Sequence, residues 1–265
     1  MLRRLGFSAA ALVLLVAGSP GVPSYADGTA PSQPQPQPQP QPRTVIGKRV
    51  IGKTVDGRRI RAWHRGEPGK PKVVLMAAMH GDELAPRQIL TALRDGDQIN
   101  GINLWVVPTY NPDGAAAGTR KNAHGVDLNR NYPYKWANLD GGYESGPRPA
   151  SEPETRAMMK FLSDVRPKWI IGFHQPLHGV DTDTKRPRFA RKVGRHLDLP
   201  AKKFACGSVC HGTMTMWFNH KFAGTALTVE YGASPPRRLM RHKAPRQVLS
   251  IWGAWRGQFG YGHVG

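Results

Sequence analysis

Three short apolar runs, at 73–79, 169–173 and 225–229, each end against a residue that handles metals or protons: His80, His174 and Glu230. A fourth run, at 102–109, has the same character. Apolar runs of this length read as buried strands. Helical patterns follow them at 84–93, 151–165, 187–197 and 245–256. Strands alternating with helices predict a single α/β domain, a twisted, mixed, mostly parallel sheet with helices on both faces. Such sheets bind ligands beyond the carboxyl ends of their strands. In a parallel arrangement those ends share one edge, so His80, His174 and Glu230 are placed to converge on one ion.

Local signals add detail. Val55-Asp56-Gly57-Arg58 lies between two β-like segments, 49–54 and 59–64, and predicts an N-terminal hairpin. Ser151 and Glu154 have the spacing of a capping box, and Met158, Phe161, Leu162 and Val165 then share one helical face. Val248, Ile251, Trp252 and Trp255 stand at i, i+3, i+4 and i+7, which predicts a final helix over 245–256.

The N-terminal region reads differently. Met1-Leu2-Arg3-Arg4, an apolar stretch at 9–17 and Ser24-Tyr25-Ala26 have the order of a secretory signal, so 1–26 is expected to be removed. The paired arginines suit either a twin-arginine signal or an ordinary basic n-region. The apolar stretch falls short of the roughly 20 residues that a membrane span needs, and nothing downstream is more apolar. Alternating Pro and Gln make 27–43 a spacer without a core, and the folded unit is expected at 44–265. These readings place the mature protein outside the cell, secreted or associated with the cell wall. Cys206 and Cys210 are the only cysteines. In an exported chain they favour a disulfide closing a small loop over two free thiols or half of a metal site.

The formal net charge is +20, from 38 Lys and Arg against 18 Asp and Glu. A surface so basic attracts polyanions. No nucleic-acid-binding motif is recognisable, so nucleic acid is not the expected partner, and an exported chain meets anionic cell-wall polymers or phospholipid head groups instead. Solubility alone is the competing explanation. Clustering favours attraction, with Arg188, Arg191, Lys192 and Arg195 on one predicted helix and Arg237, Arg238, Arg241, Lys243 and Arg246 near the end.

The chemistry begins with His80 and Glu83, three residues apart in Met79-His80-Gly81-Asp82-Glu83. Zinc accepts imidazole nitrogen and carboxylate oxygen, and a catalytic zinc site needs three protein ligands with a position left open. This pair supplies two. Asn111-Pro112-Asp113-Gly114 follows, and then Arg120-Lys121-Asn122-Ala123-His124-Gly125-Val126-Asp127-Leu128-Asn129-Arg130-Asn131-Tyr132-Pro133, a run too polar for a core strand.

With these motifs in order, the chain resembles the zinc metallocarboxypeptidases of the carboxypeptidase A superfamily, and its Asp-Leu-Asn-Arg-Asn-Tyr-Pro stretch is similar to the bacterial murein peptide amidase-like branch. The resemblance covers roughly 72–232. It implies that 44–265 is a catalytic domain, that His80, Glu83 and His174 bind one Zn2+ ion, and that Glu230 is the catalytic carboxylate. It further implies that Arg120 polarises the scissile carbonyl while Asn129 and Arg130 hold a substrate carboxylate. The side-chain chemistry agrees with each role. Zinc acidifies water, a carboxylate relays the proton, and a fixed guanidinium stabilises an oxyanion. A planar guanidinium fork also matches a carboxylate.

Other readings remain open for single residues. His178 competes with His174 as third ligand, Glu230 could be a sheet-end carboxylate in a salt bridge, and Asp82 is the expected acceptor that orients a ligating imidazole. His124, His211 and His220 read as loop histidines. Between Trp136 and Glu230 the only tyrosine is Tyr143, so the mobile tyrosine of the animal digestive relatives is missing. The 206–210 loop with Met214, Met216, Trp217 and Phe218 is expected to shape that wall of the pocket instead. The expected substrate is a peptide, cleaved at a peptide or amide bond next to a free carboxylate, with cell-wall murein peptides favoured. The alternatives are a zinc-dependent deacylase of small N-acyl amino acids and a catalytically silent cell-wall-binding protein.

Overall fold

In the computed structural model, Thr54 donates its backbone N–H to Arg58 O (2.9 Å) and Gly57 to Thr54 O (3.0 Å), closing the turn between β1 (Gly47–Lys53) and β2 (Arg59–Gly66). The two strands pair antiparallel from Gly47 opposite His64 to Lys53 opposite Arg59, as the hairpin reading expects. The structure describes residues 45–205 and 207–257, which belong to one compact unit. The expected signal at 1–26, the spacer at 27–43 and Cys206, with its expected bridge to Cys210, lie outside the described residues.

The remaining elements are β3 (Lys72–Ala77), α1 (Arg87–Asp95), β4 (Ile99–Asn100), β5 (Asn103–Val107), α2 (Pro112–Ala117), α3 (Pro153–Val165), β6 (Trp169–His174) and β7 (Leu177–Asp181). They continue with α4 (Pro187–Leu197), β8 (Ala201–Lys202), α5 (Met214–Lys221), β9 (Thr225–Gly232), α6 (Ala244–Ser250) and β10 (Trp255–Arg256). Eight strands form one sheet in the order β1-β2-β5-β3-β6-β9-β7-β8. Its centre, β5, β3, β6 and β9, is parallel, while β1, β2 and β7 add antiparallel pairings. This is the mixed, mostly parallel α/β sheet that the alternation of runs predicts.

Successive strand residues point to opposite faces, and both faces here are covered. Val73, Leu75 and Ala77 pack with Ile89, Leu90 and Leu93 of α1 and with Val248 of α6. Val74 and Met76 pack with Met158, Phe161 and Leu162 of α3 and with Trp217 and Phe218 of α5. Each of these large side chains contributes about 1.5–3 kcal/mol on burial, before the entropy of ordering it.

Several boundaries differ from the sequence reading, each for a physical reason. α1 starts at Arg87 rather than 84, because residues 83–86 are used in turns closed by Glu83 N to His80 O and Arg87 N to Leu84 O. β5 stops at Val107, since Pro108 has no N–H to continue a ladder. The expected capping box does not form. Pro153 takes the first helical turn, Glu152 becomes the N-cap, and Ser151 Oγ donates to Glu152 Oε1 (2.7 Å). The final helix ends at Ser250 rather than continuing to 256. Gly253 turns left-handed (φ 67°), and Trp255 and Arg256 then pair with Asn100 and Ile99 as a two-stranded ladder. β9 runs through Glu230 to Gly232, so Glu230 lies within its strand instead of just beyond it.

Candidate metal centre

After β3 the chain bends at Ala78 (φ 51°) and brings His80 to the sheet edge. Gly81 lies against α2 so closely that a Cβ there would be 2.0 Å from Gly114 C and 2.3 Å from Ala115 N. Only glycine fits. The turn is closed by Glu83 N donating to His80 O (3.2 Å), which sets the two side chains side by side. His174 ends β6 and stands in register with Glu230 on β9, so both point to the same face.

The donors meet there. His80 Nδ1 lies 2.8 Å from Glu83 Oε1, His174 Nδ1 lies 2.8 Å from Glu83 Oε2, and the two Nδ1 atoms are 3.3 Å apart. All three residues are buried, and their ligand atoms lie within 4.8 Å of one another. Two imidazoles and one carboxylate form a catalytic zinc donor set. His178, on β7 with φ 49°, is not part of it.

The acceptor that orients His80 is Asp127, not Asp82. Asp82 is exposed, whereas buried Asp127 Oδ1 lies 3.0 Å from His80 Nε2. With Nε2–H donated to Asp127, the Nδ1 lone pair is left for a cation. Asp127 is fully occupied. Oδ1 also accepts from Asn129 N (2.9 Å), and Oδ2 accepts from Arg120 Nε (3.1 Å) and Nη2 (2.8 Å). Burial opposes a charge on His80, but Asp127 and then Glu83 outweigh it and raise its pKa to about 9. Burial likewise pushes the Glu83 carboxyl up, and the rings of His174 and His80 more than offset it, leaving it well below the usual range. A metal ion taking these donors displaces the proton.

Arg120 reaches the same space, its Nη1 3.3 Å from His80 Nδ1 and 3.5 Å from Glu83 Oε1. Asn129 Oδ1 accepts from Met214 N (3.1 Å). Arg130 is buried and donates Nη1–H to Asn129 O (2.7 Å), while its buried Nε has no acceptor among the described residues. Burial lowers its pKa. Glu230 is buried, with Oε2 accepting from Leu177 N (3.3 Å). Burial raises its pKa, against the neighbouring His174.

The pocket wall also differs from expectation. Met214, Trp217 and Phe218 are core residues packed with Tyr132 and Met158. The aromatic over the site is Tyr143, whose ring lies 5.6 Å from the Arg120 guanidinium and 5.0 Å from that of Arg130. Behind this layer, buried Asn122 donates to Glu152 (2.7 Å) and Glu154 (3.2 Å) and accepts from Val126 N (3.0 Å), which shapes the loop carrying Arg120 and Asp127.

Residues 42–181 match the zinc carboxypeptidase family model, more than half of the chain. The chain belongs to the zinc carboxypeptidase family. The donor set above fits that family's metal. Murein peptide amidase A of Escherichia coli K12 is 32% identical over 149 residues, covering 48% of this chain and 58% of that protein. The same-named protein of Vibrio campbellii is 29% identical over 163 residues, covering 56% and 65%. The match thus spans less than two thirds of either relative. The solved murein-tripeptide amidase MpaA of Escherichia coli O157 superimposes with a TM-score of 0.65 at 23% identity, over 80% of this chain and 94% of that one, which shows a shared fold.

Proposed function

We propose that this chain is an exported, zinc-dependent peptidase or amidase that hydrolyses an amide bond next to a free carboxylate in murein-type peptides. One observation carries the carboxylate part. Arg130 is a buried guanidinium that shares the Tyr143 ring with Arg120, with an unsatisfied Nε and no ion pair among the described residues. A buried cation without an ion pair in contact is costly, and a substrate carboxylate supplies one. The names of the two amidase relatives support the murein class, and the signal-like residues 1–26 support export.

His80, Glu83 and His174 would hold the zinc. When bound, zinc polarises the scissile carbonyl and acidifies water. Glu230 accepts the proton of the attacking water on its carboxylate and returns it to the leaving amine. Its burial suits this exchange, since a raised pKa brings donor and acceptor forms closer in energy. Arg120, fixed by Asp127, directs Nη1–H groups at the carbonyl oxygen as negative charge develops there. Arg130 and the Asn129 amide hold the substrate carboxylate, which fixes the bond to be cut.

The test is digestion of murein-type peptides, ordinary peptides and N-acyl amino acids, each as free acid and as amide, read by mass spectrometry. Cleavage of free acids only is expected, abolished by a chelator and restored by zinc. Arg130→Met is expected to lower kcat/KM on free acids by about 30–100-fold, roughly the loss of one or two charged hydrogen bonds. Full turnover by metal-free protein, or equal cleavage of acids and amides, overturns the reading.

A further inference from the structure

α2 borders two sites. Its Gly114–Ala115 backbone packs on Gly81 beside the metal donors, while Ala115 and Ala116 line a separate cavity of about 490 Å³ that none of the metal-centre residues enters. Its other walls carry Lys48, Arg59, Arg61, Trp63, Arg87 and Arg94, and no acidic residue lines it.

The placement follows from the secondary structure. Arg59, Arg61 and Trp63 alternate along β2 and share the face opposite buried Ile60 and Ala62. Lys48 stands directly across from Trp63 on β1 and joins that face. Arg87 and Arg94 are about two turns apart on α1 and project from one side of it. Lys48 Nζ and the Arg94 guanidinium lie 6.0 Å and 4.9 Å from the Trp63 ring. Arg94 pairs with exposed Asp95. Lys48, Arg59, Arg61 and Arg87 have no ion-pair partner among the described residues.

A chain with this excess of bases must expose many of them, and bases dispersed over a surface need no ligand. Here they are gathered instead. Five cations face one concavity, where they repel one another. The residues outside the described ones contain a single acid, Asp27, too little to neutralise them. Four of the five are guanidinium groups, whose planar forks suit phosphate oxygens. The volume exceeds that of one phosphate group and falls in the usual range for small-molecule sites.

We propose that this cavity is a second, non-catalytic site that binds a chain of phosphate groups. Its position beside α2 puts the bound anion next to the metal centre but outside it.

The test is calorimetric titration of the full protein with inorganic tripolyphosphate and, separately, with poly(glycerol phosphate). Saturable binding of at least one is expected, and Arg59→Gln/Arg61→Gln/Arg87→Gln should weaken it by at least about tenfold. Arg188→Gln/Arg191→Gln/Arg195→Gln removes the same charge from exposed positions on α4 and should change it by less than about twofold. Tighter binding of tripolyphosphate assigns the site to free phosphates, and tighter binding of the polymer assigns it to diester chains. Equal weakening by both triple variants, or no saturable binding of either probe, overturns the proposal. The measurement needs no turnover, so its failure is distinct from failure of the catalytic reading.

Discussion

Around the metal donors two acids, Glu83 and Asp127, are each engaged by at least two basic groups, whereas the cavity beside β2 gathers five bases and no acid. Burial accounts for the difference. His80, Glu83, His174 and Asp127 are shut away from water, where an unpaired charge is expensive, so nearly every polar atom has a partner. Lys48, Arg59 and Arg87 are exposed, and water serves in place of a counter-ion. Arg130 is the exception that joins the two regions. It is buried like the first set and, with Asp127 acting on it only from beyond contact, has no ion-pair partner among the described residues, which is why it marks a binding position.

The largest break in this comparison is expected from Glu230→Gln. It should reduce turnover by about 10²–10⁴-fold while zinc content, read by atomic absorption, stays unchanged. A variant keeping a third of wild-type activity would remove Glu230 from the proton path. Asp127→Asn comes next. It keeps the shape but withdraws the charge that orients His80 and fixes Arg120, so zinc affinity measured by chelator competition should fall about 10–100-fold. Unchanged affinity would mean that the pairing around Asp127 is not needed for the metal. Tyr143→Ala removes the ring over Arg120 and Arg130, an interaction of about 0.5–2 kcal/mol, and should raise KM by about two- to thirtyfold with kcat near wild type. A loss confined to kcat would contradict a role in holding the substrate.

The smallest effect sharpens the hairpin side. Arg58 is a hairpin base that does have acids, Asp56 and buried Asp113, each 2.7 Å away. Burial pushes Asp113 up, but Asp56 N–H, Arg58 and Thr54 outweigh it and hold its carboxyl below the ordinary 3.8. Its stabilisation is therefore complete above that value and lost as pH falls through the lower folded one. Asp113→Asn should cost about 1 kcal/mol at pH 7, and its melting temperature should converge with that of the wild type in acid. A constant gap across pH would show that packing, not charge, secures the turn.

The strand-end logic made His80 and His174 legible, because ligand-type residues at the ends of parallel strands have one edge to share. Glu230 was legible as a residue but not as part of β9, since a carboxylate after Thr-Val reads as the end of a strand. Asp127 was missed as the partner of His80 because nearness in sequence favoured Asp82. A buried imidazole takes its acceptor from whichever loop reaches it, and only the tertiary fold brings residue 127 there. Gly253 was a stop signal in plain view, outweighed by the periodicity of Trp252 and Trp255. Pro153 likewise foretold the helix start that the capping-box spacing obscured.

The order of the site residues along the chain also fixes the order in which they are made. β6 lies between β3 and β9, so the strand bearing Glu230 pairs directly with the one that carries His174. A chain made from its N-terminus acquires His80, Glu83 and His174 before the carboxylate proposed to activate water. An unfinished copy could thus gather its metal donors and still cut nothing nearby.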